Sequence, residues 1–154
     1  MSEIPPQASQ TTVDEARRLI RTADRAVLAT SRGDGWPYAS LVLPAVDGDG
    51  APLLLLSDLA EHAKNLKAEP RCSLLYDGTA GLENPLTGFR ITVLGEAWPV
   101  EDRDLLARFV ARQPTSALYA GFADFRLYRM AISRAHAVAG FGRIHWIEGA
   151  LLGT

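Results

Sequence analysis

The chain has one cysteine, Cys72, in 154 residues. It cannot form an internal disulfide and needs none, because a domain of ~150 residues buries about two thirds of its unfolded surface. A lone thiol fits a reducing compartment, so a cytoplasmic location is expected. Histidine is also scarce. His62, His136 and His145 are scattered, with no H-x-x-x-H or C-x-x-C pair, and no metal site is expected. There is no excess of charge of either sign. Lys and Arg total 16 against 18 Asp and Glu, and the formal net charge of -2 removes the global electrostatic case for nucleic acid or an anionic membrane. No apolar run approaches the ~20 residues of a membrane span. The opening "MSEIPPQASQ" lacks the basic and apolar stretches of a secretory signal. Residues 1–11 read as a disordered tail and 12–154 as a single domain, with no internal repeat or linker.

What is present is a run of strand-like segments punctuated by turns. "TTVDEARRLIRTAD" predicts a helix, with capping-box spacing from Thr12 to Glu15 and Val13, Ala16, Leu19, Ile20 and Ala23 on one face. Three β-rich runs follow, at about 26–31, 36–46 and 51–57, separated by Asp34-Gly35 and by Asp47-Gly48-Asp49-Gly50. Such turns between apolar runs are strong hairpin signals, and connections this short require antiparallel pairing. "SDLAEHAKNLKAEP" predicts a helix, "RCSLLYD" and "GFRITVLGEAWPV" two strands, and "EDRDLLARFVARQ" a third helix with acids in its first turn. A short helix in "TSALYAGFADF" and two final strands, "RLYRMAISR" and "AHAVAGFGRIHWI", complete the reading. An antiparallel sheet must cover its edges or close. The expected fold is therefore mainly β, a small antiparallel barrel of about seven strands with peripheral helices.

The segment "LLSDLAEHAKNL", residues 55–66, carries the most chemistry. Ser57 and His62 do not converge naturally across a helix start, and no G-x-S-x-G elbow surrounds the serine, which disfavours a hydrolase. A helix beginning directly after a strand presents free N–H groups to an anion, and Ser57, His62 and Lys64 could add donors. Equally, Asp58 could cap the helix, with Glu61 and Lys64 as ordinary surface charges. The residues alone leave these two readings level. Cys72 lies in a strand as an inert core residue. His136 and His145 read as partly buried structural histidines. The aromatics Trp98, Phe109, Tyr119, Phe122, Phe125 and Tyr128 read as core and interface.

"AVLATSRGDGWPYASLVLPAVDGDGAPLLLLSDLAEHAKNLKAEPRCSLL" resembles the FMN-binding split barrels related to pyridoxamine 5′-phosphate oxidase. "LTGFRITVLGEAWPV", "YAGFADFRLYRMAISRAHAVAGFGRIHWI" and the histidine of "SDLAEHAKNL" narrow the resemblance to the heme-utilisation (HugZ-like) branch, over roughly residues 12–148. It implies a six- to seven-stranded split β-barrel that forms a homodimer with FMN at the interface. By resemblance, Ser57, His62, Lys64 and Asn65 would meet the FMN phosphate. Ser40, Leu41, Val42 and Leu43 would run beside the flavin ring, and Gly140, Phe141, Gly142 and Arg143 would approach from the partner chain. Three departures shape the expectation. Ala63 stands where the branch commonly has threonine. Ser40 and Ala45 stand where the oxidase proper has Arg and Lys, so pyridoxamine phosphate is not the expected substrate. Heme-degrading members carry a further C-terminal domain, whereas this chain ends at Thr154. The leading expectation is thus an FMN-dependent oxidoreductase of unknown substrate, with no catalytic acid or base singled out. The alternatives are a heme-binding or heme-degrading protein, a flavin module without turnover, and a deazaflavin in place of FMN.

Overall fold

The computed structural model describes residues 8–140 and 142–153. Helix α1 (Gln10–Thr22) starts one turn earlier than expected, because Ser9 rather than Thr12 caps it, its side chain accepting from the Thr12 N–H. Val13, Ala16 and Ile20 form its buried face, as their spacing predicts, with Leu19 and Ala23 packed at the margin.

The strands are β1 (Ala26–Ser31), β2 (Pro37–Val42), β3 (Ala45–Val46), β4 (Pro52–Ser57), β5 (Arg71–Gly78), β6 (Phe89–Val100), β7 (Phe125–Ala139) and β8 (Ile144–Glu148). They pair antiparallel in the order β2-β1-β5-β6-β7-β4-β3, with β8 added to β7. Both ends of this path, β2 and β3, are joined by only Leu43 and Pro44. A connection this short spans at most about 10 Å, so the sheet has to curl until its two edges meet. That constraint makes the barrel. The expected second run, 36–46, is accordingly two strands that end on opposite edges of the sheet. The proline between them cannot donate to a ladder.

The barrel interior is filled by Leu28, Leu54, Leu74, Tyr76, Ile91, Val93, Met130, Ala135, Ala137 and Ile147, against which α1 packs. A second, smaller cluster of Ala45, Leu53, Phe109 and Leu127 lies under α3 (Arg103–Arg112), whose N-terminus Asp102 caps through the N–H groups of Asp104 and Leu105. The expected fourth helix is a single 3-10 turn at Pro114–Leu118. The two expected final strands also redistribute, because Phe125–Ala139 is one continuous strand. Its pairing slips between Leu94 and Gly95 of β6, so that Leu94 faces Arg134 while Gly95 faces Ile132. Ser133 is the extra residue of a bulge, and the inward positions change parity across it, from Met130 and Ile132 to Ala135 and Ala137. In the sequence that parity change imitates a strand end. Among the described residues, no helix is long and apolar enough to cross a membrane.

Candidate functional site

Strand β4 ends at Ser57, and the short turn 58–60 leads into α2 (Glu61–Ala68). The N-cap of α2 is Ala60, which provides no side-chain cap. Asp58 does not cap the helix either. Its carboxylate accepts from Arg126 Nε, at 3.0 Å to both oxygens. The first-turn N–H groups of α2 are therefore left without a side-chain acceptor. Arg32, just past β1, donates from Nε to Asp34 and has Nη1 3.9 Å from Glu61 Oε2.

Two side chains one turn apart fix α2 to the barrel. Asn65 is buried and donates through Nδ2 to Thr30 Oγ1 on β1, at 3.0 Å. His62 on the same helix face meets β2, its Nδ1 3.0 Å from Ser40 Oγ. Burial holds the His62 imidazole below its usual pKa, so it is neutral at pH 7. No other hydrogen bond of this ring occurs among the described residues. Thr30 completes the arrangement. A polar residue at an inward position of the alternating strand "AVLATS" was the available signal for it.

The structure brings together Ser40, His62 and Asn65 among the expected site residues. Of their neighbours on β2, Val42 points into the core, Leu41 points outward at 67% exposure, and Leu43 follows the strand at 41%. Ser57 faces elsewhere. Its hydroxyl donates to Asp124 Oδ2 at 2.7 Å and accepts from the Leu59 N–H, bracing the turn from β4 to α2 against the residue just before β7. Lys64, two positions from His62, leaves α2 on another side and lines a groove with Trp98 and Tyr128. Gly140, Gly142 and Arg143 form the β7–β8 turn, where Arg143 accepts the Ala139 N–H and both glycines have positive φ. That turn continues the Gly78 end of β5, whereas Thr30 adjoins the Cys72 end. A stretch of strand of about 20 Å separates them within one chain. Phe141 lies outside the described residues.

His136 packs on Trp146, ring centroids 4.7 Å apart, and His145 lies on β8. Burial pushes the Cys72 thiol up to about 12, which makes it unreactive. Among the described residues, no three His, Cys, Asp or Glu side chains converge to hold a metal ion.

The curled antiparallel sheet, closed by the Leu43-Pro44 link and followed by α2, has a counterpart among known families. The model of the pyridoxamine 5′-phosphate oxidase family matches residues 12–139. The chain belongs to the pyridoxamine 5′-phosphate oxidase family. Two of the proteins it is similar to are described by their dealings with heme. It is 35% identical over 133 residues to the chloroplastic heme oxygenase HOZ of Arabidopsis thaliana, a match covering 83% of this chain and 40% of that protein. It is 30% identical to a heme binding protein from Mycobacterium smegmatis, with a TM-score of 0.86 over 94% of this chain and 61% of that one. Atu2129 of Agrobacterium tumefaciens, a protein of unknown function, is 29% identical, with a TM-score of 0.82 over 98% of this chain and 64% of that one. This chain therefore spans less than two thirds of the length of each.

Two cofactor types can be tested against this site of the pyridoxamine 5′-phosphate oxidase family. An FMN phosphate needs free donors. The uncapped start of α2 supplies some, but Arg32 is paired with Asp34 and Glu61, and the Ser57 hydroxyl and the Asn65 amide are engaged in internal hydrogen bonds. A heme iron held through histidine needs a neutral imidazole oriented through its second ring nitrogen. Burial keeps His62 neutral, and its Nδ1 lies 3.0 Å from Ser40 Oγ.

Proposed function

We propose that the chain is a homodimeric split-barrel protein that binds heme, with His62 offering its imidazole to the iron. The observation that carries this reading is the bond between His62 Nδ1 and Ser40 Oγ. A ligating histidine is ordinarily held through its second ring nitrogen, which sets the tautomer and the ring plane. In the tautomer in which Nδ1–H donates to Ser40, Nε2 keeps its lone pair. Burial disfavours the protonated ring, so that lone pair is available near neutral pH. The similarity to two proteins described as a heme oxygenase and a heme binding protein supports the same reading. Heme, once bound, supplies iron-centred redox chemistry. The chain itself supplies an oriented imidazole and an apolar surface.

Dimerisation is part of the proposal. Leu41, Val27 and Leu75 align across β2, β1 and β5, and Leu41 and Leu75 are 67% and 41% exposed. A second copy would cover this apolar row and could bring its own Gly140–Arg143 turn to the His62 site, which the same chain cannot do. The buried thiol of Cys72 suits a reducing compartment, and the cytoplasm is the proposed location. The test is a hemin titration followed at the Soret band, with light scattering on the same sample. A saturable Soret shift that is lost in His62→Ala supports the reading. Equal hemin binding by His62→Ala, or a monomer that binds hemin fully, would overturn it.

A second reading, an FMN-dependent oxidoreductase of unknown substrate, is favoured by the uncapped start of α2. Of the residues expected around FMN, Ser40–Leu43 would then flank the ring, His62 and Asn65 would lie by the phosphate, and Gly140, Gly142 and Arg143 would come from the partner subunit. Flavin carries the electrons in such a protein, and the chain binds, orients and excludes water. Release of FMN from the purified protein, identified by mass, would favour this reading. A bound flavin that reacts with nothing faster than slow reaction with oxygen would reduce it to a module without turnover.

A further inference from the structure

Lys64 and Lys67 lie one turn apart on α2 and, with Trp98 near the end of β6 and Arg126 and Tyr128 at the start of β7, border a groove of about 510 Å³. This is within the size range of small-molecule sites. Neither Ser40 nor His62 lines it. Asp58 is its one carboxylate, and Arg126 matches that charge through both carboxylate oxygens. Lys64 and Lys67 form no ion pair among the described residues. Two cations thus remain uncompensated at one rim.

The other walls carry two aromatic rings, Trp98 and Tyr128, among small aliphatic side chains. Trp98 is 53% exposed, so its indole presents a flat apolar surface to solvent. Tyr128 is buried, and its hydroxyl has no hydrogen-bond partner among the described residues, although it lines the groove. Burial and the Asp58 carboxylate both favour its protonated form, so it can donate an O–H. A cationic rim alone would accept any counter-ion, and an aromatic wall alone any apolar molecule. Side by side they select a flat ring that carries a negative group. The ring can stack on the indole while a phosphate or carboxylate meets the two ammonium groups.

We propose that this groove is a second ligand site, on a different side of α2 from His62, for a planar aromatic anion of mononucleotide size. It does not depend on which cofactor occupies the His62 site.

The experiment uses the full chain with AMP and 1-naphthoate as probes and inorganic phosphate as the control. Trp98 fluorescence gives the signal, with Trp98→Phe identifying its share of the emission. Saturable quenching by AMP alone would mark a phosphate ligand and by 1-naphthoate alone a carboxylate, and either outcome supports the site. Lys64→Ala with Lys67→Ala, both at exposed positions, is expected to weaken binding by about tenfold or more. His62→Ala is expected to leave it unchanged, although the same variant loses the hemin Soret shift. The proposal is overturned if neither probe binds saturably, if the lysine variant binds as the parent does, or if His62→Ala abolishes binding.

Discussion

His62 Nδ1 lies 3.0 Å from Ser40 Oγ, so one hydrogen bond ties the first turn of α2 to the edge strand β2. The hydroxyl fixes the ring orientation, and its removal should affect ligand binding more than folding. Ser40→Ala is expected to lower hemin affinity by about tenfold or more, the usual cost of losing the partner of a ligating histidine. Its melting temperature should change little. Nitrogen NMR of the ring would show a mixture of tautomers in the variant and one in the parent. Unchanged hemin affinity with a single tautomer would remove Ser40 from the site.

His62 also gives stability a pH dependence. Its folded-state pKa lies below its unfolded value because burial disfavours the charged ring. Between those two values the unfolded state binds more protons, so stability rises with pH. The neutral ring is fully accommodated above about pH 6.5, and stability falls as pH drops below that toward the folded value. Urea titrations between pH 5 and about 7.5 should show this slope in the parent and a flatter one in His62→Ala. Equal slopes would mean the ring titrates freely in the folded protein.

Asp47 anchors the β3–β4 turn to β7. Its carboxylate accepts from the Asp49 and Ala51 N–H groups, at 2.9 Å each, and from Arg129 Nε at 2.7 Å, and its side chain is 8% exposed. Burial works against the charge, but Arg129 and the two N–H groups outweigh it and hold the carboxyl below its usual range. This stability is present above about pH 4 and is lost as pH falls through the folded-state value. Asp47→Ala leaves the Arg129 charge and two N–H groups without their acceptor, at an expected cost of about 3 kcal/mol at pH 7. The acid limb of its stability profile should also be shallower. A cost below about 1 kcal/mol would mean that water replaces the carboxylate there.

Gly95 sits at the β6–β7 register shift, and a Cβ added there would lie 2.2 Å from the Ala131 carbonyl oxygen. That atom belongs to the sheet backbone and cannot swing away. Gly95→Ala is expected to destabilise the fold by about 3 kcal/mol. Gly33→Ala, with nothing within 4 Å of the new methyl group, should stay within about 0.5 kcal/mol. Denaturant unfolding of the two variants measures the difference, and equal stabilities would mean the bulge can open.

The candidate site was legible where local chemistry speaks for itself. The sequence "SDLAEHAKNL" marks a helix after a strand, and that helix holds both His62 and Asn65. It left open whether Asp58 would cap this helix, because the competing partner, Arg126, is 68 positions away. Ser57 reads as an anion donor until the fold places Asp124 beside it, 67 positions on. Lys64 could not be separated from His62 by sequence distance, since two positions on a helix are close in the chain and face different ways.

The sequence by itself determined the parts: the Asp-Gly and Gly-rich turns, the alternating strands, the amphipathic face of α1, and an antiparallel sheet required by the short connections. Those follow from backbone sterics and from hydrophobic periods of two and 3.6 residues, which act over a few neighbours. Tertiary structure alone decided that β2 and β3 stand on opposite edges, that one bulged strand replaces two, and that His62 meets Ser40. These depend on pairing across the whole sheet, where Leu43-Pro44 forces closure and Ser133 resets the parity of β7. Local pattern carries no record of which distant strand arrives beside it.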